Sequence, residues 1–519
     1  MASSPAKLPR QSGESTRRGK LVGALDQGTS STRFMVFDEK GQPVCVAQRE
    51  HTQILPFQGG VEHDPDEIWE RTCDVIRECL ASGGLTARDL SCVGITNQRE
   101  TTVVWNRATG KPYANAVVWM DMRAQAVCDD LELRGLKAAI RDKTGLPLSP
   151  YFSGTKIRWL LDHVPGLREA AERGEAVAGT VDSWLLYKLS GGARAHLTDV
   201  TNASRYMLMD LAAQRWDDAL CEQLGVPKRM LPEIRSSSEV YFAAAEPAEL
   251  RGVLVAGVLG DQQAALVGQC ALRPGMAKST YGTGLFILMN TGERPVASTH
   301  GLLTTVAYKL GPSAPTVFAL EGSVAIGGAL VQWLRDNLNL FASASEVEAL
   351  AREVPDNGGV YIVPAFSGLY APYWRPDARG IICGLTRFAN RRHLARAALE
   401  ATAFQTLDVF EAMCKDAGVP LAALAVDGGM SRNDLLLEFQ ADVARCKVVR
   451  PKMTETTALG ACFAAGLAVG VWRDLDQLER AWPGVDRDFV PSMSESEREK
   501  RVAAWRRAVE KSFNSVAEE

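Results

Sequence analysis

Two short polar turns, Asp26-Gln27-Gly28-Thr29-Ser30-Ser31-Thr32 and Tyr281-Gly282-Thr283-Gly284, carry hydroxyls and backbone N–H groups in tight glycine-containing bends. Such a bend can hold phosphate oxygens without a side-chain cation. Asp26 stands at the entrance of the first turn and can anchor Mg²⁺ through water, because Mg²⁺ keeps most of its waters. An ordinary β-hairpin with an Asp turn explains that stretch equally well. The second turn favours phosphate, since two such hairpins can clamp one polyphosphate. A third stretch, Val426-Asp427-Gly428-Gly429-Met430-Ser431-Arg432-Asn433, runs from strand through glycines to a Ser-capped helix. Its glycines would let a flat nucleotide base approach the backbone, or they merely supply positive φ to a strand-to-helix turn.

Two further stretches offer groups for a hydroxyl-bearing ligand. Arg99 and Glu100, in Thr96-Asn97-Gln98-Arg99-Glu100-Thr101-Thr102, are an adjacent donor and acceptor, or else a surface ion-rich turn of little energetic weight. Asp261, in Gly260-Asp261-Gln262-Gln263, closes an apolar strand and precedes an apolar helix. In open α/β sheets ligands bind at that strand edge. A helix cap and a general base are both open to Asp261. The Walker Gly-x-x-x-x-Gly-Lys-Ser/Thr sequence and the protein-kinase catalytic loop are both missing, so ATP chemistry here needs another fold.

The elements that must position these residues read as α/β with mixed sheets. Leu21 to Leu25, Arg33 to Phe37 and Val44 to Ala47 predict three antiparallel strands. Asp64-Pro65 opens a helix whose inner face is Ile68, Thr72, Val75, Ile76 and Cys79. Strands are expected at Val93–Thr96, Val117–Trp119, Leu254–Leu259, Val360–Ala365 and Leu424–Val426, alternating with helices. Ser494 and Glu497 predict a capping box for a last helix that packs through Val502, Trp505, Val509 and Phe513. The two Gly-Thr hairpins, each followed by an apolar strand and a Gly-x-Pro-Val or Gly-x-x-Pro-Val turn, lie half a chain apart. They suggest two halves of one fold.

Composition narrows the function classes. A chain of 519 residues suits two domains. With 46% hydrophobic and 23% charged residues it can bury a normal core. A formal charge of −4 argues against a nucleic-acid partner, which needs clustered positive charge. The apolar stretch from Thr456 to Trp472 is too short to span a bilayer and reads as a close-packed helix. Eleven scattered cysteines without a Cys-x-x-Cys pair suit reduced thiols in a cytoplasmic protein. Residues 1–20 read as a basic, disordered tail, with an organellar transit segment as the alternative.

Together these motifs resemble the FGGY carbohydrate kinase family, and within it the members that phosphorylate glycerol. The likeness runs from about Leu21 to about Trp472. It is carried by Leu25 to Arg33, Asn97 to Thr102, Tyr151-Phe152-Ser153-Gly154-Thr155-Lys156-Ile157-Arg158-Trp159, Gly260 to Ala265, Tyr281 to Gly284, and Gly380-Ile381-Ile382-Cys383-Gly384-Leu385 leading to His393 and Glu400. Phe366 to Trp374 looks like the eukaryotic branch. Gly60 and Arg375 depart from the usual pattern, and Ala243 to Arg251 lacks the glycines of a fructose 1,6-bisphosphate loop.

The resemblance implies two ribonuclease-H-like domains of the actin and hexokinase type, over residues 21–270 and 271–519, with an interdomain cleft. It implies ATP and Mg²⁺ as cofactors and glycerol as substrate, giving sn-glycerol 3-phosphate for catabolism and glycerolipid supply. By the same likeness Arg99, Glu100, Tyr151, Asp261 and Gln262 hold glycerol hydroxyls, and Trp119 and Phe286 form the apolar wall. Thr29, Ser30, Ser31, Arg33 and Thr283 face the phosphates. Gly328, Gln332, Gly429 and Asn433 take the adenosine end. Asp261 is the implied base, Asp26 the Mg²⁺ anchor, and a homo-oligomer (dimer or tetramer) the implied assembly. Another sugar or polyol kinase, a protein-binding ATP switch and an inactive scaffold are the competing readings.

Overall fold

The computed structural model describes residues 20–192, 195–366, 368–375 and 377–515. The tail expected over residues 1–20 lies outside them except for Lys20. Two large mixed sheets organise the chain. The first contains β1 (Leu21–Gln27), β2 (Ser31–Phe37), β3 (Pro43–Glu50), β4 (Leu90–Asn97), β5 (Ser238–Ala243) and β6 (Leu254–Gly260), in the order β5-β6-β4-β1-β2-β3. The second contains β7 (Met276–Tyr281), β8 (Leu285–Gly292), β9 (Leu303–Tyr308), β10 (Val317–Val324), β11 (Ala423–Asp427), β12 (Lys447–Pro451) and β13 (Val485–Phe489), in the order β9-β10-β8-β7-β11-β12-β13.

The two sheets repeat one topology. β1 pairs antiparallel with β2 and parallel with β4, while β7 pairs antiparallel with β8 and parallel with β11. The echo between the Gly-Thr hairpins is thus an echo of architecture, with each hairpin turn at the same corner of its sheet. Central strands read as continuous apolar runs because both faces are covered. At the edge, β3 alternates instead: Cys45 and Ala47 are buried while Val44 and Val46 face out.

Helix α1 (Pro65–Gly83) starts at the Asp64 cap and ends at Gly84 in the left-handed region, and its expected inner face is buried. Two other helices join the halves: α2 (Asp261–Gly268), which follows β6, and α6 (Thr456–Ala468), which comes from the second half yet packs on β1, β4 and β6. Small residues make this approach possible. A Cβ added at Gly268 would lie 1.9 Å from the Thr456 carbonyl oxygen, and one at Gly460 would lie 1.8 Å from that of Ala264. One buried cluster therefore includes Val22, Phe37 and Leu259 together with Leu288, Ala319 and Phe463.

Between these come α3 (Gly328–Asp336), α4 (Arg391–Ala417) and α5 (Asp434–Ala444), and α7 (Glu495–Lys511) closes the second half. Trp505 of α7 stacks on Phe404 of α4 at 5.3 Å and donates its indole N–H to Asp408 at 2.8 Å.

Four local expectations are corrected. The strand predicted at Val117–Trp119 covers only Ala116–Val117, and Trp119 leaves it. Val360–Ala365 shortens to Tyr361–Val363. Asn433, not Ser431, caps α5 by accepting the Leu436 N–H, because a 3₁₀ turn at Gly429–Arg432 comes first. Ser494 caps α7, but the Glu497 carboxylate turns to Arg501 at 2.7 Å rather than back to the cap. Among the described residues, no helix is long and apolar enough to cross a membrane.

Gly460→Ala should overpack the α2–α6 contact and cost about 1–3 kcal/mol. Calorimetry should show a lowered unfolding midpoint; an unchanged one would mean that the helices can part freely.

Candidate active site

The residues expected to meet a hydroxyl-bearing ligand come together where β4 and β6 end. Arg99 and Glu100 follow β4, and Glu100 sits at φ 61°, a left-handed conformation uncommon for a non-glycine residue. That kink gives the two neighbours different partners. Arg99 Nε lies 3.1 Å from Asp261 Oδ1, and its Nη1 and Nη2 donate to Glu321 at 2.6 and 2.9 Å. Glu100 Oε1 accepts from Arg205 Nε at 2.5 Å. Arg205 also donates to both oxygens of Glu321 at 3.2 Å.

Burial sets the electrostatics of this cluster. Arg99, Glu100, Arg205 and Glu321 are all buried. Burial opposes the charge of Glu321, but Arg205 and Arg99 outweigh it and bring its pKa down to about 2. Burial also opposes the Arg99 charge, yet Glu321, Glu100 and Asp261 hold it above its ordinary value. For Glu100 burial wins over Arg205 and Arg99, and its pKa is raised.

Asp261 is the first residue of α2, and Gly260 holds the cap position without a side-chain bond. Its Oδ1 takes both the Gln262 N–H, at 2.7 Å, and the approach of Arg99. That leaves Oδ2 for a ligand on a side chain 28% exposed. Gln262 Oε1 receives the Lys278 amine, which is buried on β7 and also meets Thr280 Oγ1 at 3.1 Å. Burial lowers the Lys278 pKa to about 8, opposed by Asp427 and Asp261. Lysine has donors alone. The Gln262 amide is therefore oriented with its oxygen on Lys278 and its NH₂ left for another acceptor.

Trp119, Tyr151 and Phe286 form an aromatic wall, with centroids 5.5 Å apart for Trp119–Tyr151 and 6.2 Å for Trp119–Phe286. The Trp119 indole N–H donates to Thr29 Oγ1 at 3.0 Å and ties the wall to the first turn. In that turn Gly28 N–H bonds Ser31 O at 2.9 Å. Gln98 and Gln53 donate to the Gly28 and Thr29 carbonyls at 3.1 and 3.0 Å, and Ser30 is exposed. Arg33 lies 3.9 Å from Asp26 and pairs with Glu455 of the second half.

Burial raises the Asp26 pKa to about 7, against Arg33, with Glu455 and Asp261 adding to the rise. A nearby cation would offset that unfavourable surplus of negative charge. The Asp26 carboxylate fits Mg²⁺, which takes hard oxygen ligands. Among the described residues no cluster of three or more His, Cys, Asp or Glu could hold a metal. The remaining ligands would therefore be water and phosphate oxygens.

The second turn opens onto a cavity of about 520 Å³ that brings together Thr283, Gly328, Gln332, Gly429 and Asn433. Gly282 N–H bonds Gly284 O at 3.0 Å, and the Gly327 and Ala329 N–H groups bond Thr283 O at 2.8 and 3.1 Å, so the turn is braced by the start of α3. Gly428, at φ 85°, lets β11 pass the backbone of Tyr281, which a Cβ would meet at 2.5 Å. The structure thus gathers the seventeen candidate residues into three linked groups: the hydroxyl-binding cluster, the first turn and this cavity. The sequence assigns no role to Arg205, Glu321 or Lys278, and Gln263 enters only within the Gly260–Ala265 motif. Glu321 and Lys278 did leave one signal, each being the lone charge of its strand.

Models of the FGGY family of carbohydrate kinases match residues 21–268, for the N-terminal domain, and 277–469, for the C-terminal domain. The glycerol kinase of Chloroflexus aurantiacus is 58% identical over 96% of this chain and 99% of its own. That of Acidiphilium cryptum is 59% identical over 95% and 99%. The crystal structure of Plasmodium falciparum glycerol kinase with ADP superposes with a TM-score of 0.90 at 37% identity, covering 96% of this chain and 99% of that one. The two bacterial chains are the more similar, so the likeness of residues 366–374 to the eukaryotic branch does not extend to overall identity.

A Cβ at Gly429 meets no protein atom within 4 Å, so a side chain there would project into the cavity. Gly429→Leu should weaken ADP binding by about tenfold or more in titration calorimetry. The unfolding midpoint without ligand should stay near that of the parent.

Proposed function

The chain belongs to the FGGY family of carbohydrate kinases, and from that premise we propose that it transfers the terminal phosphoryl group of ATP to a primary hydroxyl of glycerol. The products are ADP and sn-glycerol 3-phosphate. The observation that carries this reading is the partly exposed Asp261 carboxylate, whose Oδ1 is engaged by Arg99 and the Gln262 N–H while its Oδ2 is left for a ligand.

In this reading Arg99 and Glu100 grip hydroxyls as donor and acceptor. The Gln262 NH₂ donates to another hydroxyl, and Tyr151, Trp119 and Phe286 cover the carbon skeleton. Asp261 Oδ2 accepts the proton of the attacking hydroxyl, while Oδ1 stays occupied by Arg99 and Gln262. A base so placed contributes about 10²- to 10⁴-fold in rate. Thr29, Ser30, Ser31, Arg33 and Thr283 meet the phosphates. Gly328, Gln332, Gly429 and Asn433 flank the adenosine. Mg²⁺, held by Asp26 through water, would neutralise phosphate charge. The protein's own contribution is then positioning and exclusion of water from the cleft.

We assign the protein to the cytoplasm on its eleven free thiols. The family likeness supports a homo-oligomer, and the charge balance supports the reading without a nucleic-acid partner.

A coupled ADP assay tests the reading: glycerol should raise ATP turnover strongly and xylulose should not. Equal rates with both would refute the assignment to glycerol. Because Gly260 holds the cap position, Asp261→Asn should keep the melting temperature and ADP binding. Its kcat should fall by about 10²-fold or more. Turnover within a few-fold of the parent would remove Asp261 from the chemistry.

A further inference from the structure

Two side chains behind the grip have no role in the mechanism above, yet they decide what the grip presents. Arg205 follows the short helix Val200–Ala203 in the first half, and Glu321 lies on β10 in the second. Both have fully buried side chains. The Glu321 carboxylate is saturated. Its Oε1 accepts from Arg99 Nη2 and Arg205 Nη2, and its Oε2 from Arg99 Nη1 and Arg205 Nη1. Arg205 gives its Nε–H to Glu100 Oε1 and rests over the Phe152 ring at 5.5 Å.

Donor counting then fixes what is left. A guanidinium has five N–H groups. Arg99 turns Nε to Asp261, directs one Nη2–H and one Nη1–H to Glu321, and gives the other Nη1–H to Gln263 at 3.2 Å. One N–H, on Nη2, remains. Glu100 has committed Oε1 to Arg205, and Oε2 remains. Without Glu321 the two guanidinium groups would repel each other in a buried site. Without Arg205 the Glu100 carboxylate would be free to turn onto Arg99, quenching donor and acceptor together.

We propose that Arg205 and Glu321 are positioning residues that hold Arg99 and Glu100 apart and present one donor and one acceptor, thereby selecting a hydroxyl that accepts and donates at once. This rests on the polyol kinase reading and names the origin of its hydroxyl selectivity. It also makes the grip a product of both halves of the chain, since Glu321 reaches it from the second sheet.

The test is steady-state kinetics of Arg205→Lys and Glu321→Gln with glycerol and with 1,2- and 1,3-propanediol, each lacking one hydroxyl. Arg205→Lys keeps the charge but loses the planar fork. Both variants should raise the KM for glycerol by about tenfold or more while the KM for ATP changes little, since a polar group in the grip is left unpaired. The preference for glycerol over the propanediols should shrink in parallel. If Glu321→Gln does not fold, Arg205→Lys alone carries the test. Equal changes in both KM values, or a lowered melting temperature with unchanged preference, would overturn the proposal. A parent enzyme that makes no ADP in response to glycerol would instead overturn the polyol kinase reading, and the proposal with it.

Discussion

A carboxylate with no exposure to water, Glu321, lies between the guanidinium groups of Arg99 and Arg205, and the surrounding site is arranged around it. Removing two positive charges and one negative charge from water is costly, and their attraction compensates only with good geometry and fully used hydrogen bonds. Here the geometry is supplied by three chain segments far apart in sequence. The strained backbone at Glu100 belongs to the same constraint, because it turns Glu100 to Arg205 while Arg99 reaches Glu321 and Asp261. Asp261 and Lys278 complete the cluster with one charge of each sign, so ligand polarity is matched against a balanced interior.

That cluster can exist because the two sheets are held in fixed relation by α2 and α6. These helices touch backbone to backbone at Gly268 and Gly460, and glycines at 94 and 257 let α6 lie directly on the first sheet. The chain exchanges a helix from its second half into the layer over its first half. The first Gly-Thr turn is tied to the aromatic wall through Trp119, and the second lines the cavity. The repeated sheet topology places a Gly-Thr turn at the same corner of each sheet.

Much of this was legible because it is local. The Asp64 cap, the apolar runs of β1 and β6 and the stripe of the last helix follow from periodicity and capping rules that need a few neighbouring residues. The strand expected at Val117–Trp119 is overlong because apolarity is the same signal in a strand and in an aromatic cluster, and Trp119 packs with Tyr151 and Phe286. The capping box at Ser494 formed by half because Arg501, one turn along, competes for the Glu497 carboxylate. Motif resemblance gave specific roles to seventeen positions, among them Trp119, Phe286 and Gln332, to which local rules assign none.

The sequence by itself determined the class of fold, the paired hairpins, the residues with hydroxyl, carboxylate and guanidinium groups near strand ends, and the family to which they belong. Tertiary structure alone decided which charges are partners. Arg99 and Glu100 are adjacent in the chain, yet each bonds a residue more than one hundred positions away. Chain proximity sets backbone direction, whereas a buried ion's partner is chosen by which opposite charge loses water at the same place. That choice depends on how two sheets and an exchanged helix pack, and no short stretch of sequence encodes it.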